Sequence, residues 1–240
     1  KMLKNDLGRS VEWRVPALVA TLLMFAGSAQ AANVLTNASF ESPIADGGDV
    51  TCTSVEQFCT GWTGFEFALI NSNLFDSGQQ GPGALTGFQT LKMFGPFGGP
   101  TSGVFQDASA SAGEIWQASA FIQNWDDPDG ITGGDPMQGD NLGQLLLIFL
   151  DSGGGELAAI TQEFDAGQPR NIWTELSVSG LAPVGTDSVR IGLFHQQETG
   201  FDGGSVFWDD ASLQIVPVPA AVWLFGSALG LLGWMRRKAS

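Results

Sequence analysis

Between Val34 and Ile215 apolar and polar residues alternate in short runs, and the runs end at glycine, proline, asparagine or aspartate. Alternation with a period of two suits a strand with one face buried and one in water. Ile172-Trp173-Thr174-Glu175-Leu176-Ser177-Val178 follows this pattern, and so does Ser188-Val189-Arg190-Ile191-Gly192-Leu193-Phe194. The apolar run Gln144–Leu150 meets a turn at Asp151-Ser152-Gly153-Gly154-Gly155, after which Leu157–Ile160 returns as a hairpin partner. Ser205–Trp208 leads into Asp209-Asp210, with Leu213 and Ile215 beyond. Further strands are predicted at Val34–Phe40, Trp62–Leu69, Leu85–Phe94, Gly103–Ser109 and Ile115–Gln123. No stretch carries the 3.6-residue period of a long amphipathic helix. About ten short strands at this spacing predict an all-β domain, a two-sheet sandwich or jelly roll. The 33 glycines and the charged fraction of only 15% fit tight turns between strands better than solvated helices.

Charge narrows the partners. The formal net charge is −15, and its distribution is uneven. Lys1, Lys4, Arg9 and Arg14 precede the first apolar run, and Arg236, Arg237 and Lys238 follow the last. Only Lys92, Arg170 and Arg190 lie between, against all the acids but Asp6 and Glu12. Such a body cannot neutralise phosphates, so nucleic acid is excluded as a partner. Its acids serve solubility or attract divalent cations.

The ends read as addresses. A basic segment, an apolar run from Val15 to Gly27 and the A-x-A site Ala29-Gln30-Ala31 form a signal peptide, with cleavage expected after Ala31. The run is shorter than the ~20 residues that span a bilayer. At the other end, prolines at Pro217 and Pro219 stop the last strand. An uncharged run from Ala220 to Met235 follows, about long enough to cross a membrane, and then Arg236-Arg237-Lys238, which the positive-inside rule keeps cytoplasmic. This order resembles the PEP-CTERM sorting signal of Gram-negative bacteria. The motif reads Val216-Pro217-Val218-Pro219 here, with valine where the family has glutamate. The resemblance implies handling by an exosortase at the inner membrane, a role linked to exopolysaccharide or biofilm matrix, and a final place at the cell surface. The layout is a signal peptide (1–31), a β domain (32–215) and a sorting tail with a transmembrane helix (216–240). In an exported chain Cys52 and Cys59 are expected to form a disulfide closing a short loop.

The body carries a second resemblance. Asn33-Val34-Leu35-Thr36-Asn37-Ala38-Ser39-Phe40-Glu41 is similar to the opening strand of galactose-binding-like carbohydrate-binding modules. Trp173 followed by Leu181-Ala182-Pro183-Val184-Gly185-Thr186 and then Val189-Arg190, with the closing Trp208-Asp209-Asp210-Ala211-Ser212-Leu213, resembles later blocks in the same order. In such modules a structural calcium lies near the first and last strands, held by backbone carbonyls and carboxylates. The resemblance therefore implies Glu41 and Asp210 as ligands, with Asp209 as a third, and the alternative is a set of solvated strand-end acids. Asp126-Asp127-Pro128-Asp129-Gly130 and the residues to Asp135 form a second acidic loop, whose spacing does not match an EF-hand.

Sugar binding uses aromatic faces with a few placed hydrogen bonds. Trp62, Phe65 and Trp125 lie at strand ends or loops and are the expected stacking residues, with Gln123 and Asn124 as hydrogen-bonding neighbours. Trp116, Trp173 and Trp208 fall within alternating strands and are expected in the core. The one histidine, His195, has no nucleophile motif with it and is expected to cap a strand end. The expectation is a non-catalytic, glycan-binding surface protein. The alternatives are a surface protein that binds protein partners or only fills the matrix, and a polysaccharide-active enzyme. An enzyme would need two carboxylates roughly 5–9.5 Å apart across a cleft.

Overall fold

The computed structural model describes residues 31–44, 50–51, 59–66, 68–72, 81–94, 101–127, 136–197 and 202–217. The leader, Cys52, the acidic loop from Pro128 to Asp135 and the tail from Val218 on lie outside the described residues. The expected Cys52–Cys59 bridge lies outside them as well, although Cys59 itself is buried.

In chain order the strands are β1 (Val50–Thr51), β2 (Thr63–Phe65), β3 (Ala68–Ser72), β4 (Gln89–Phe94), β5 (Thr101–Ser109), β6 (Ile115–Asn124), β7 (Leu142–Leu150), β8 (Glu156–Asp165), β9 (Thr174–Leu181), β10 (Ser188–Gln196) and β11 (Ser205–Ile215). They form two antiparallel sheets, β1-β3-β4-β11-β6-β9 and β2-β5-β10-β7-β8. No helix is present among the described residues, and none there is long and apolar enough to cross a membrane. Residues 31–216 cluster as one compact unit.

Alternation sets which side chains meet between the sheets. On β6 Trp116, Ala118, Ala120 and Ile122 are buried, and on β10 Val189, Ile191 and Leu193 are buried. Both sets step by two along their strands, as one-face burial requires. Trp116 and Trp208 lie in the core as expected, but Trp173 is only half-buried. Gly143 on β7 lies where the two sheets approach closely. A Cβ there would lie 2.3 Å from Ile122 Cδ1 and 3.6 Å from the Trp208 ring. Gly143→Val is therefore expected to lower the melting temperature by roughly 3–10 °C, measured by thermal denaturation, because overpacking a filled core costs about 1–3 kcal/mol.

The expected strand Val34–Phe40 is instead a bent segment laid along β11. Val34 N donates to Leu213 O at 2.9 Å and Ala211 N donates to Ala38 O at 2.9 Å. Positive φ at Asn37 (54°) and Phe40 (58°) turns the backbone out of a ladder. The Asn37 side chain holds the turn, accepting from Ser42 N at 3.0 Å and donating to Ser42 O at 2.6 Å. The expected strand Trp62–Leu69 divides between the sheets, with Glu66 at φ 52° where β2 ends. Gly87 at φ 68° delays the start of β4 from Leu85 to Gln89.

Candidate functional site

The outer face of the six-stranded sheet carries a grouping of aromatic and polar side chains. On β11 Val206 and Trp208 point inward, so Phe207 and Asp209 point outward; on β4 Leu91 and Met93 point inward, which leaves Lys92 and Phe94 outside. Register places Phe207 opposite Lys92 of β4 on one side and opposite Gln123 of β6 on the other. Lys92, Phe207 and Gln123 thus stand in one row across three strands. The Lys92 ammonium lies 5.7 Å from the Phe207 ring centroid and 5.8 Å from that of Phe94, within cation–π range. Trp125 follows β6 and meets Phe207 edge-on, with centroids 6.1 Å apart at 78°. Its ring stays half-exposed. Gln123 Oε1, on the same face, is buried without a hydrogen-bond partner.

A strap formed by residues 81–88 bounds this face. Asp209 Oδ2 accepts the amides of Leu85 at 2.8 Å and Thr86 at 3.2 Å. Thr86 Oγ1 donates to Asp210 Oδ1 at 2.6 Å. Trp173 Nε1 donates to Gly83 O at 3.3 Å. The strap therefore leaves β4, crosses β11 and β6, and reaches the start of β9. This contact accounts for the half-exposed Trp173, which braces the strap rather than filling the core.

The carboxylates proposed from resemblance for calcium bind protein donors here. Glu41 Oε1 accepts the amides of Phe88 at 2.8 Å and Gln89 at 2.9 Å. Asp209 Oδ1 accepts the Asp210 amide at 2.7 Å. Asp209 is fully buried, and that burial pushes its carboxyl up to about 7, although three backbone amides favour the ionised form. Among the described residues no group of three or more acids, histidines or cysteines could hold a metal ion. Calcium takes six to eight oxygen ligands at ~2.3–2.6 Å, whereas Glu41 Oε1, both Asp209 oxygens and Asp210 Oδ1 already accept N–H and O–H donors. The arrangement does not fit the ion.

The other expected site residues scatter. Trp62 is 5% exposed, stacks on Phe40 at 5.2 Å and donates Nε1 to Asn37 O at 3.0 Å. A ring so placed offers no face to a sugar. Asn124 is fully buried and points inward, accepting the Met137 amide at 2.7 Å. Phe65 packs edge-on against Phe194 at 5.3 Å, on the outer face of the five-stranded sheet. It lies on the far side of the sandwich from Trp125. On that face Arg190 is already engaged, donating to both Asp107 oxygens at 2.7 and 2.8 Å and lying 3.8 Å from the Phe105 ring centroid. In the acidic loop, Asp126 pairs with Arg170 at 2.9 Å. Trp125 and Gln123 are thus brought together, and Trp62, Phe65 and Asn124 are not. Lys92, Phe94 and Phe207 complete the grouping.

His195 is not a strand cap. It is fully buried, facing inward between Ser102 of β5 and Gly143 of β7 in register. Apart from an approach to the Leu142 backbone, neither ring nitrogen has a hydrogen-bond partner, and the Ser102 hydroxyl has none. Burial pushes the imidazole down to about 4. A base sealed in the core cannot reach a substrate on the outer face.

Solved structures share this architecture. A cyclase from Fischerella sp. TAU matches with a TM-score of 0.54 at 14% identity, over 79% of this chain and 98% of the cyclase. TmCBM61 in complex with beta-1,4-galactotriose matches with a TM-score of 0.44 at 17% identity, over 76% of this chain and 97% of the module. The chain also spans 21% of the enzymatically active domain of bacteriophage CBA120 tailspike protein 4, at a TM-score of 0.47 and 14% identity over 76% of its own length. At these identities the cyclase likeness is one of fold, a two-sheet all-β sandwich. No protein-family model matches the sequence, and no curated protein matches it.

Proposed function

We propose that the domain is a non-catalytic glycan-binding sandwich of an exported protein. The leader takes the chain through the inner membrane, and the PEP-CTERM-like tail anchors it there until an exosortase-type enzyme passes it to the surface or matrix. The glycan lies on the outer face of the six-stranded sheet. The observation that carries this reading is the part-exposed Trp125 ring, braced edge-on by the buried Phe207, with the part-exposed Lys92 and Phe94 on the same face. An exposed aromatic face packs against the apolar face of a sugar ring, and an ammonium bonds its hydroxyls. The body's excess of acid favours a neutral glycan over a polyanionic one.

Co-sedimentation of the full chain, in detergent, with exopolysaccharide purified from the producing cells tests the proposal. Saturable retention that free oligosaccharide competes away is the expected result. Retention no greater than that of an unrelated acidic sandwich protein would refute direct glycan binding. Lys92→Met separates the ammonium from the packing of its stem. It is expected to weaken retention several-fold and to lower the melting temperature by a few degrees, because the apolar stem still covers Phe207 while the cation–π contacts to Phe94 and Phe207 are lost.

A further inference from the structure

We infer that the side-chain amide of Gln89 closes the joint between the opening segment and the strap, so that the sandwich is locked at this corner without a metal ion. This does not depend on the glycan reading. Gln89 opens β4 and is 1% exposed. Its Nε2 donates to Phe40 O at 2.8 Å and to Pro43 O at 3.0 Å. A primary amide has two N–H donors, and these two carbonyls take both. They also settle which end of the amide faces them, because its oxygen would set three acceptors against one another.

The neighbouring carboxylates complete the joint in the same sense. Glu41, one residue beyond Phe40, receives the amides of Phe88 and Gln89 on Oε1. Asp209 and Asp210 of β11 receive the Leu85 and Thr86 amides and the Thr86 hydroxyl. Apart from the Asp210 amide on Asp209 Oδ1, every one of these carboxylate contacts is to a donor from residues 85–89. The fit is close: a Cβ at Gly87 would lie 2.3 Å from Glu41 Oε1. A cation bridging the opening segment and the last strand would need these same carbonyl and carboxylate oxygens. Here protein donors already take Glu41 Oε1, both Asp209 oxygens, Asp210 Oδ1 and the Phe40 and Pro43 carbonyls, and they perform the cross-linking a cation performs elsewhere. The corner holds one end of the strap, so Gln89 is a positioning residue for the wall of the candidate site.

The test uses the full chain in detergent at mildly alkaline pH. Thermal midpoints are compared in millimolar calcium and in chelator, and calcium uptake is measured by isothermal titration calorimetry. The expected result is one midpoint for the native protein in both conditions and no heat of calcium binding. Gln89→Ala is expected to lower the midpoint by roughly 5–15 °C in both, because it leaves one buried and one part-buried carbonyl without this donor. A midpoint for the native protein that rises by several degrees with calcium, or one-to-one uptake, would overturn the inference. The calorimetric measurement needs only the native chain, so it decides the matter even where Gln89→Ala does not fold.

Discussion

Trp125→Ala is expected to weaken glycan retention by about thirtyfold, or ~2 kcal/mol, the loss typical of removing a central aromatic anchor. The ring is part-exposed on this face. It also leans edge-on against Phe207, which it helps to bury. Truncation therefore costs some stability too, and a melting temperature lower by a few degrees is expected. Binding is best read well below that temperature, with Trp125→Phe alongside. The phenylalanine keeps a stacking face and is expected to recover most of the affinity. Unchanged retention in Trp125→Ala would move the glycan off this face. Equal losses in Trp125→Ala and Trp125→Phe would mean that the indole N–H, not the ring face, makes the contact.

Most strands were legible because burial on one face writes a period of two into the chain. The alternation in Ser188–Phe194 and in Thr174–Val178 reappears as β10 and β9, inward and outward by turns. The strand breaks were harder to read. Asn37, Phe40 and Glu66 adopt positive φ without being glycine. Such conformations cost energy in an isolated chain and persist only where tertiary contacts repay it. For Asn37 the repayment is a pair of bonds to Ser42 together with the Trp62 indole on its carbonyl. Those partners are set by the fold and leave no mark in the local pattern.

The candidate site was legible only in part, for a related reason. Trp125 and Gln123 are neighbours in sequence, and an aromatic beside an amide at a strand end is a visible signal. Lys92 and Phe207 are far apart in the chain and meet through register. Parity held the clue: Lys92 sits between Leu91 and Met93, and Phe207 between Val206 and Trp208, so both had to face outward once their neighbours faced in. Trp62 failed in the opposite direction. A position at the start of a strand suggests exposure, yet its ring is the lid over Phe40. Glu41, Asp210 and Asp209 stood out as calcium ligands implied by resemblance or as solvated strand-end acids; which donors they meet is decided by residues 85–89, which alternation alone does not place.

Two buried groups give the domain an unusual acid response that single variants should expose. His195 holds its proton only below about 4 in the native state, against 6.5 for the ordinary imidazole. Between those values the unfolded chain binds more protons, so this group makes stability rise with pH; its contribution is complete above 6.5 and is lost as the pH falls toward 4. Asp209 does the reverse. Its native carboxyl is pushed up to about 7 from 3.8, by burial first and with a smaller push from the adjacent Asp210 charge. The native state keeps a proton that the unfolded state has released, so this contribution is full below 3.8 and is lost as the pH climbs through 7. The windows overlap and the signs oppose. Each group alone would tilt the stability curve by up to about 1.4 kcal/mol per pH unit. The native protein should therefore show a shallow denaturant midpoint profile across mildly acidic pH. His195→Leu removes one titration and leaves Asp209 unopposed, so its stability should fall as the pH rises through the window. Asp209→Asn is less stable throughout, because its amide sets one donor against backbone N–H groups that need acceptors. Its stability should nonetheless rise with pH, following His195. Chemical denaturation of the three proteins across this range measures the slopes directly. Two variants that tilt the same way would show that one of these groups titrates in the native state as it does in the unfolded chain.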